Sequence, residues 1–245
     1  MAQSLAITQA LRYAEEFCEL YGAERRRRER VEHSLAQLED SYRATVSTLA
    51  TALDLRDDLR GGHAERVTRL AIRLTQRVAP VLCVDPQLEY GFLLHDVGKI
   101  GVADAILRKV GPLDEGERRE IERHPLYGEL IVKRIPYLHG LTREIVASHH
   151  ERWDGEGYPS GLFGSGIPLA ARIFAVADAF DAMTNDRPYR AALSTSDALA
   201  EIERQAGRQF DRHVVSRFVL LCVEETARSH DHHEQALRGA AVPAR

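Results

Sequence analysis

Apolar residues recur three and four positions apart along most of the chain, as in Val67, Leu70, Ala71, Leu74 and Val78, and again in Val214, Phe218 and Leu221. That spacing gathers them on one face of an α-helix, and no stretch sustains the period-two alternation of a half-buried strand. The expected fold class is all-α. The pieces between the periodic stretches are short and punctuated by Gly and Pro, as a bundle of obliquely packed helices requires. No internal repeat is evident.

The first 54 residues read as one long helix with a different character. An amphipathic piece from Leu11 to Phe17 leads into the run Arg25-Arg26-Arg27-Arg28, then into the apolar stripe Val31, Leu35, Leu38, Tyr42, Val46, Leu49 and Leu53. The stripe averages between a heptad and an eleven-residue repeat. It serves either to zip against the same helix of a second copy or to pack on the domain that follows, and the spacing does not choose. A homodimer through this helix and a regulatory protein acting on it are the partners it suggests. The arginine run is expected to be a solvated face. Residues 55–225 form the main globular domain. From 226 to 245 the chain turns polar, with His230, His232 and His233, and is expected to be a disordered tail.

Composition narrows the functional classes. With 245 residues, 44% of them hydrophobic, the chain buries a full core, and its formal net charge of -4 removes the basic character expected of a protein that grips nucleic acid polymers or an anionic membrane. No apolar run approaches the roughly 18 residues of a membrane span, and no signal peptide precedes the acidic Glu15 and Glu16. Cys18, Cys83 and Cys222 are too scattered for a zinc knuckle or a disulfide framework, which suits the cytoplasm. Of 33 basic side chains only Lys99, Lys109 and Lys133 are lysines, so each invites a reason.

The candidate chemistry lies in His63, the pair His95-Asp96, His124, the pair His149-His150, and Asp178. Imidazole and carboxylate donors without thiolates suit Fe, Mn or Zn, and an Asp can bridge two ions through its two oxygens. Two metals a few ångströms apart clamp the attacking and leaving oxygens of a phosphoester. Asp96 and Asp178 both sit in strongly apolar surroundings, where an unpaired carboxylate is costly. Lys99 follows His95-Asp96 at once and sets a cation beside the ligands. From His149 to Pro159 a histidine pair enters a loop rich in glycine and ending in Gly157-Tyr158-Pro159, which in isolation says only "turn".

Taken together these segments resemble the HD-GYP family, a subgroup of the HD-superfamily metal phosphohydrolases that degrades cyclic di-GMP. The resemblance rests on His95-Asp96-Val97-Gly98-Lys99 with Ile100-Gly101, His124-Pro125-Leu126-Tyr127-Gly128, and His149 to Pro159 with Gly161-Leu162. It continues through Ile167-Pro168-Leu169, Arg172-Ile173, Ala175-Val176-Ala177-Asp178, Phe180-Asp181-Ala182 and Arg187-Pro188-Tyr189-Arg190, within a span from about Leu53 to Leu221. It implies an HD-superfamily helical bundle behind the N-terminal helix, with two divalent ions per chain, Fe or Mn. One would be held by His63, His95, Asp96 and Asp178, the other by Asp96, His124, His149 and His150.

The resemblance further implies hydrolysis of cyclic di-GMP to pGpG or GMP by a hydroxide bridging the metals. Lys99 would neutralise a phosphate oxygen, Arg187 and Arg190 would grip the second phosphate, and Tyr158, between Gly157 and Pro159, would offer its ring to a guanine. Asp181, one helical turn beyond Asp178, would steer the attacking water or a metal ligand. Leu59 stands where some relatives carry a third-metal glutamate, which limits the expectation to two ions. Ala103 and Arg212 replace usual prolines outside the ligand set. The alternatives are an HD-type nucleotide phosphohydrolase and a non-catalytic cyclic di-GMP receptor. The extra ligands argue against the first, and the complete ligand set against the second.

Overall fold

The computed structural model describes residues 2–57, 61–186 and 191–240, so Leu59, Arg187 and Arg190 lie outside the described residues. Ten α-helices are present among them. α1 (Ala2–Asp57) is followed by α2 (His63–Val78), α3 (Gln87–Leu93), α4 (Asp104–Leu107), α5 (Glu115–Ile121) and α6 (His124–Val132). Then come α7 (Leu141–Ser148), α8 (Leu169–Thr184), α9 (Thr195–Arg204) and α10 (Arg212–Ala240). No strand occurs among the described residues, only an isolated bridge between Ala206 and Phe210. The all-α expectation holds, and no described helix is long and apolar enough to cross a membrane.

The chain divides into two compact units, Met1–Thr45 and Val46–Arg245. Within the first, Arg25 and Arg28 bond Glu29 and Glu32 one turn on, each at 3.0 Å, so part of the arginine run does form a solvated, salt-bridged face. Val31, Leu35 and Leu38 are more than half exposed. The second unit begins inside α1 rather than at residue 55, because Val46 and Ala50 are buried and Leu53 packs with them. The apolar stripe therefore has two fates: its last part packs on its own domain, while its first part stays uncovered.

The core of the second unit forms where α2 crosses α8, with α3, α9 and α10 around them. Leu74, Phe92, Ile173, Phe174 and Phe218 are fully buried there. Of the residues that the three-and-four spacing selects in α2, Val67, Leu70, Ala71 and Leu74 are buried, and Val78 is partly buried against the same core. A second cluster joins the end of α1 to α2, α3 and α7 through Val46, Ala50, Ala64, Tyr90, Leu94 and Val146. α10 stays helical to Ala240, through the stretch expected to be a disordered tail. No proline interrupts residues 212–240, and Glu, Ala, Leu and Arg favour helix there.

Candidate metal centre

Four helix ends and one 3-10 turn converge on the ligands. His63 opens α2, His95-Asp96 follows the end of α3, His124 opens α6, and His149-His150 follows α7, while Asp178 projects from the middle of α8. Gly98, in the 3-10 turn Val97–Gly101, lets that turn lie directly on α6. A Cβ at this position would overlap the carbonyl of His124 and the amide of Gly128. The turn's backbone thus carries Asp96 and Lys99 up against His124.

Three of the histidines are oriented alike. The Nδ1–H of His95 donates to Phe92 O at 2.9 Å, that of His124 to Ile121 O at 2.7 Å, and that of His149 to Val146 O at 3.0 Å. Each bond spends one ring nitrogen on a carbonyl three residues back and leaves the Nε2 lone pair aimed inward, the arrangement a metal-ligating imidazole adopts. His95 also rests against Phe174, 4.6 Å between ring centroids, which locks its plane from below.

The inward atoms form two donor groups, each with its ligand atoms within 4.8 Å of one another: Asp96, His124, His149 and His150, and His63, His95 and Asp178. Asp96 faces both. Its Oδ1 lies 3.1 Å from His124 Nε2 and 3.7 Å from His149 Nε2, and its Oδ2 lies 3.2 Å from His95 Nε2 and 2.8 Å from Lys99 Nζ. Oδ1 is buried yet makes no well-oriented hydrogen bond, and the Nε2 atoms of His124 and His149 face each other at 3.1 Å. Lone pairs pointed at one another across a buried space suit a cation between them, and the all-nitrogen-and-oxygen donor set suits a divalent first-row ion. The residues present therefore fit metal binding.

The electrostatics agree. Burial outweighs all else at His149, pushing it down to about 4, and burial likewise drives His150 well below its usual value, so both are neutral donors at pH 7. At Asp96 and Asp178 burial opposes ionisation but is overcome, by Lys99 and the surrounding histidines in the first case and chiefly by His63 in the second. His63 is the exception. Burial lowers it, yet hydrogen bonds to Asp178 and Asp181 raise it to about 10. A cation entering the group of His63 and Asp178 must displace that proton.

Asp181 lines the cleft from α8 and is held there by other side chains. Its Oδ2 accepts the Nδ1–H of His63 at 2.8 Å, and Arg66 and Asn185 hold its oxygens at 3.0 to 3.2 Å. With both oxygens engaged, one of them on His63, and only 8% exposed, Asp181 orients that imidazole. Lys99 Nζ lies 2.8 Å from Asp96 Oδ2, and Tyr158 walls the cleft with its ring 4.8 Å from that of His150. The cleft encloses about 1160 Å³ and is lined on its other sides by Arg66, Arg108, Lys109 and Arg152.

Several supporting residues carried no sequence signal. Glu151 is 4% exposed and accepts the backbone amides of Ser160 and Leu162 at 2.7 and 2.9 Å, pinning the far side of the Gly157-Tyr158-Pro159 loop. Gly157 touches the backbone of residues 150–152 where any Cβ would collide. Glu151→Gln would set an amide NH2 against a backbone N–H, and is expected to cost about 2 kcal/mol in denaturant unfolding, with faster amide exchange at Ser160 and Leu162. Only its place directly after His149-His150 hinted at a role.

Residues 47–214 match the family described as HD domain. The chain is 40% identical over 179 residues to the cyclic di-GMP phosphodiesterase response regulator RpfG of Xanthomonas campestris, covering 73% of this chain and 47% of that protein. It is 38% identical over 175 residues to 3'3'-cGAMP-specific phosphodiesterase 3 of Vibrio cholerae, covering 71% and 38%. The crystal structure of the cyclic GMP-AMP specific phosphodiesterase V-cGAP3 of V. cholerae shares the fold, with a TM-score of 0.57 at 20% identity over 73% of this chain and 48% of that one. This chain thus spans about half or less of the length of these relatives. The match over residues 47–214 and the histidine and aspartate ligands converging there agree: the chain belongs to the HD domain family, in its HD-GYP branch.

Proposed function

We propose that this chain is a phosphodiesterase that opens cyclic di-GMP, to pGpG or on to GMP, with two divalent ions, Fe or Mn, held by the two donor groups. The observation that carries this reading is Asp96, whose two oxygens face separate sets of imidazoles while Lys99 stands 2.8 Å from one of them. Divalent ions in such a pair supply a nucleophile at neutral pH and absorb charge on phosphoryl oxygens. His63, His95 and Asp178 would hold one ion and His124, His149 and His150 the other, with Asp96 available to both.

Around that pair the side chains divide the work. Lys99 neutralises a non-bridging oxygen of the scissile phosphate as charge grows on it. Asp181 keeps His63 in the tautomer that offers Nε2. The Gly157-Tyr158-Pro159 loop closes one wall of the cleft and presents Tyr158 to a base, and Arg187 and Arg190 are assigned to the second phosphate from the sequence pattern. The relatives' names include both cyclic di-GMP and 3'3'-cGAMP at nearly equal identity, so the second dinucleotide is the alternative substrate to test.

The test is to purify the protein without oxygen, count metal per chain, and follow both dinucleotides by chromatography with Mn or ferrous iron added. Two metals per chain and linear or mononucleotide product from cyclic di-GMP are expected. Metal-loaded protein that leaves both dinucleotides intact would overturn the reading in favour of a receptor or another nucleotide substrate. The cytoplasm is the proposed compartment, since its three cysteines form no disulfide among the described residues.

The exposed Val31, Leu35 and Leu38 favour a homodimer through α1 and leave the same helix open to a regulatory protein. Removing residues 1–45 is expected to lower the solution mass in light scattering from that of two full chains to that of one truncated chain, while the remaining unit keeps its metals. An unchanged oligomeric state would discard the dimer.

A further inference from the structure

Two side chains in the last turn of α1 bond segments that carry residues of the candidate metal centre. Asp54 Oδ2 accepts the backbone N–H of Ala64 at 2.9 Å. Ala64 is the second residue of α2, whose N-cap position is Gly62 and offers no side-chain cap. Asp54 therefore supplies, from another helix, an acceptor that the first turn of α2 lacks, beside the ligand His63. Arg56 reaches the other way. Its Nη1 donates to Lys99 O at 2.9 Å, its Nη2 to Val102 O at 2.8 Å, and its Nε and Nη2 to Asp104 Oδ1 at 3.0 and 2.7 Å. Arg108 Nε in turn donates to the carbonyl of Arg56 at 2.9 Å, satisfying one of the open carbonyls at the end of α1. A planar guanidinium bonded to three acceptors at once fixes position in a way that a single exposed ion pair does not. What it fixes is the backbone that presents Lys99, three residues after Asp96.

We infer that Asp54 and Arg56 are positioning residues through which α1 sets the geometry of the metal centre. Asp54 holds the end of α2 that carries His63, and Arg56 holds the turn that carries Lys99. Both contacts lie within the unit Val46–Arg245, in the last turn of α1. The inference rests on the hydrolytic reading above and adds to it how the end of α1 governs turnover.

The test uses the full chain, with Mn(II) binding followed by electron paramagnetic resonance of the free ion, cyclic di-GMP kinetics and thermal unfolding. Asp54→Ala is expected to weaken one of the two Mn(II) steps about tenfold and leave the other within about twofold. Asp54→Asn, which keeps an oxygen for the Ala64 amide, recovers most of that loss. Arg56→Gln is expected to retain both Mn(II) steps and lower kcat about tenfold with KM within about twofold, and Arg56→Lys to fall between it and the wild type. Unchanged isotherms and kcat overturn the inference. So does a uniform loss of both Mn(II) steps, kcat and KM together with a lowered unfolding temperature, the signature of a merely structural role. Where Asp54→Ala or Arg56→Gln does not fold, the two conservative variants carry the same comparison with smaller shifts. If the wild-type protein leaves cyclic di-GMP intact, the substrate reading fails while the Mn(II) isotherms of the Asp54 pair still decide the positioning.

Discussion

Asp96→Ala is expected to abolish metal binding in both donor groups and to lower turnover about 10⁴-fold or more, the largest loss of any single substitution in the site. The reason is geometric. Every other ligand belongs to one group, whereas Asp96 sets Oδ1 against His124 and His149 and Oδ2 against His95 and Lys99. Its removal would take an anionic donor from both groups and leave the Nε2 atoms of His124 and His149, 3.1 Å apart, with no charge to gather around. His124→Ala should differ, costing the ion of its own group and sparing that of His63, His95 and Asp178. Metal analysis of the two variants side by side separates a shared ligand from a private one. Two ions retained by Asp96→Ala would sink the bridging assignment.

Folding of the Asp96 variant is a separate matter. Asp96 is partly buried, with one oxygen lacking a well-oriented partner and the other 2.8 Å from Lys99, so its removal from the metal-free protein loses one ion pair. The core beneath it, built on Phe92, Phe174 and Leu94, is untouched by the change. The variant should therefore unfold at a temperature close to that of metal-free wild type, which makes the loss of metal readable as a loss of ligands rather than of structure.

Much of this architecture was legible in the sequence, and the parts that were not share a cause. The three-and-four spacing of Val67, Leu70, Ala71 and Leu74 marks the buried face of α2 because helical period is a local property. His95, Asp96 and His124 stand out because polar ligands in apolar surroundings need a partner. What the sequence hides is which distant segments meet. Asp181 shares a helical face with Asp178, which suggested work on water or on a metal ligand, but which imidazole it meets, the Nδ1 side of His63 on another helix, comes only from the fold. Arg56 and Asp54 look like ordinary charges at a helix end until the fold brings Lys99 and Ala64 to them. The stripe on α1 shows the same limit, since its period is uniform while burial begins only at Val46.

Gly98→Ala is expected to destabilise the protein by about 3 kcal/mol or more and to loosen metal binding by the group of Asp96, His124, His149 and His150. An added methyl usually finds room by moving a side chain, but here it meets the carbonyl of His124 and the amide of Gly128, both backbone, and α6 has no rotamer to change. The 3-10 turn must back away from α6. That motion carries Asp96 from His124 and shifts Lys99, so stability and metal affinity fall together, unlike in Asp96→Ala, where affinity falls alone. Gly166→Ala is the control, because a Cβ there meets nothing within 4 Å. Denaturant unfolding and Mn(II) titration on both variants check the account. Wild-type stability in Gly98→Ala would show that the turn and α6 have slack, and with it that the contact between them does not set the distance from Asp96 to His124.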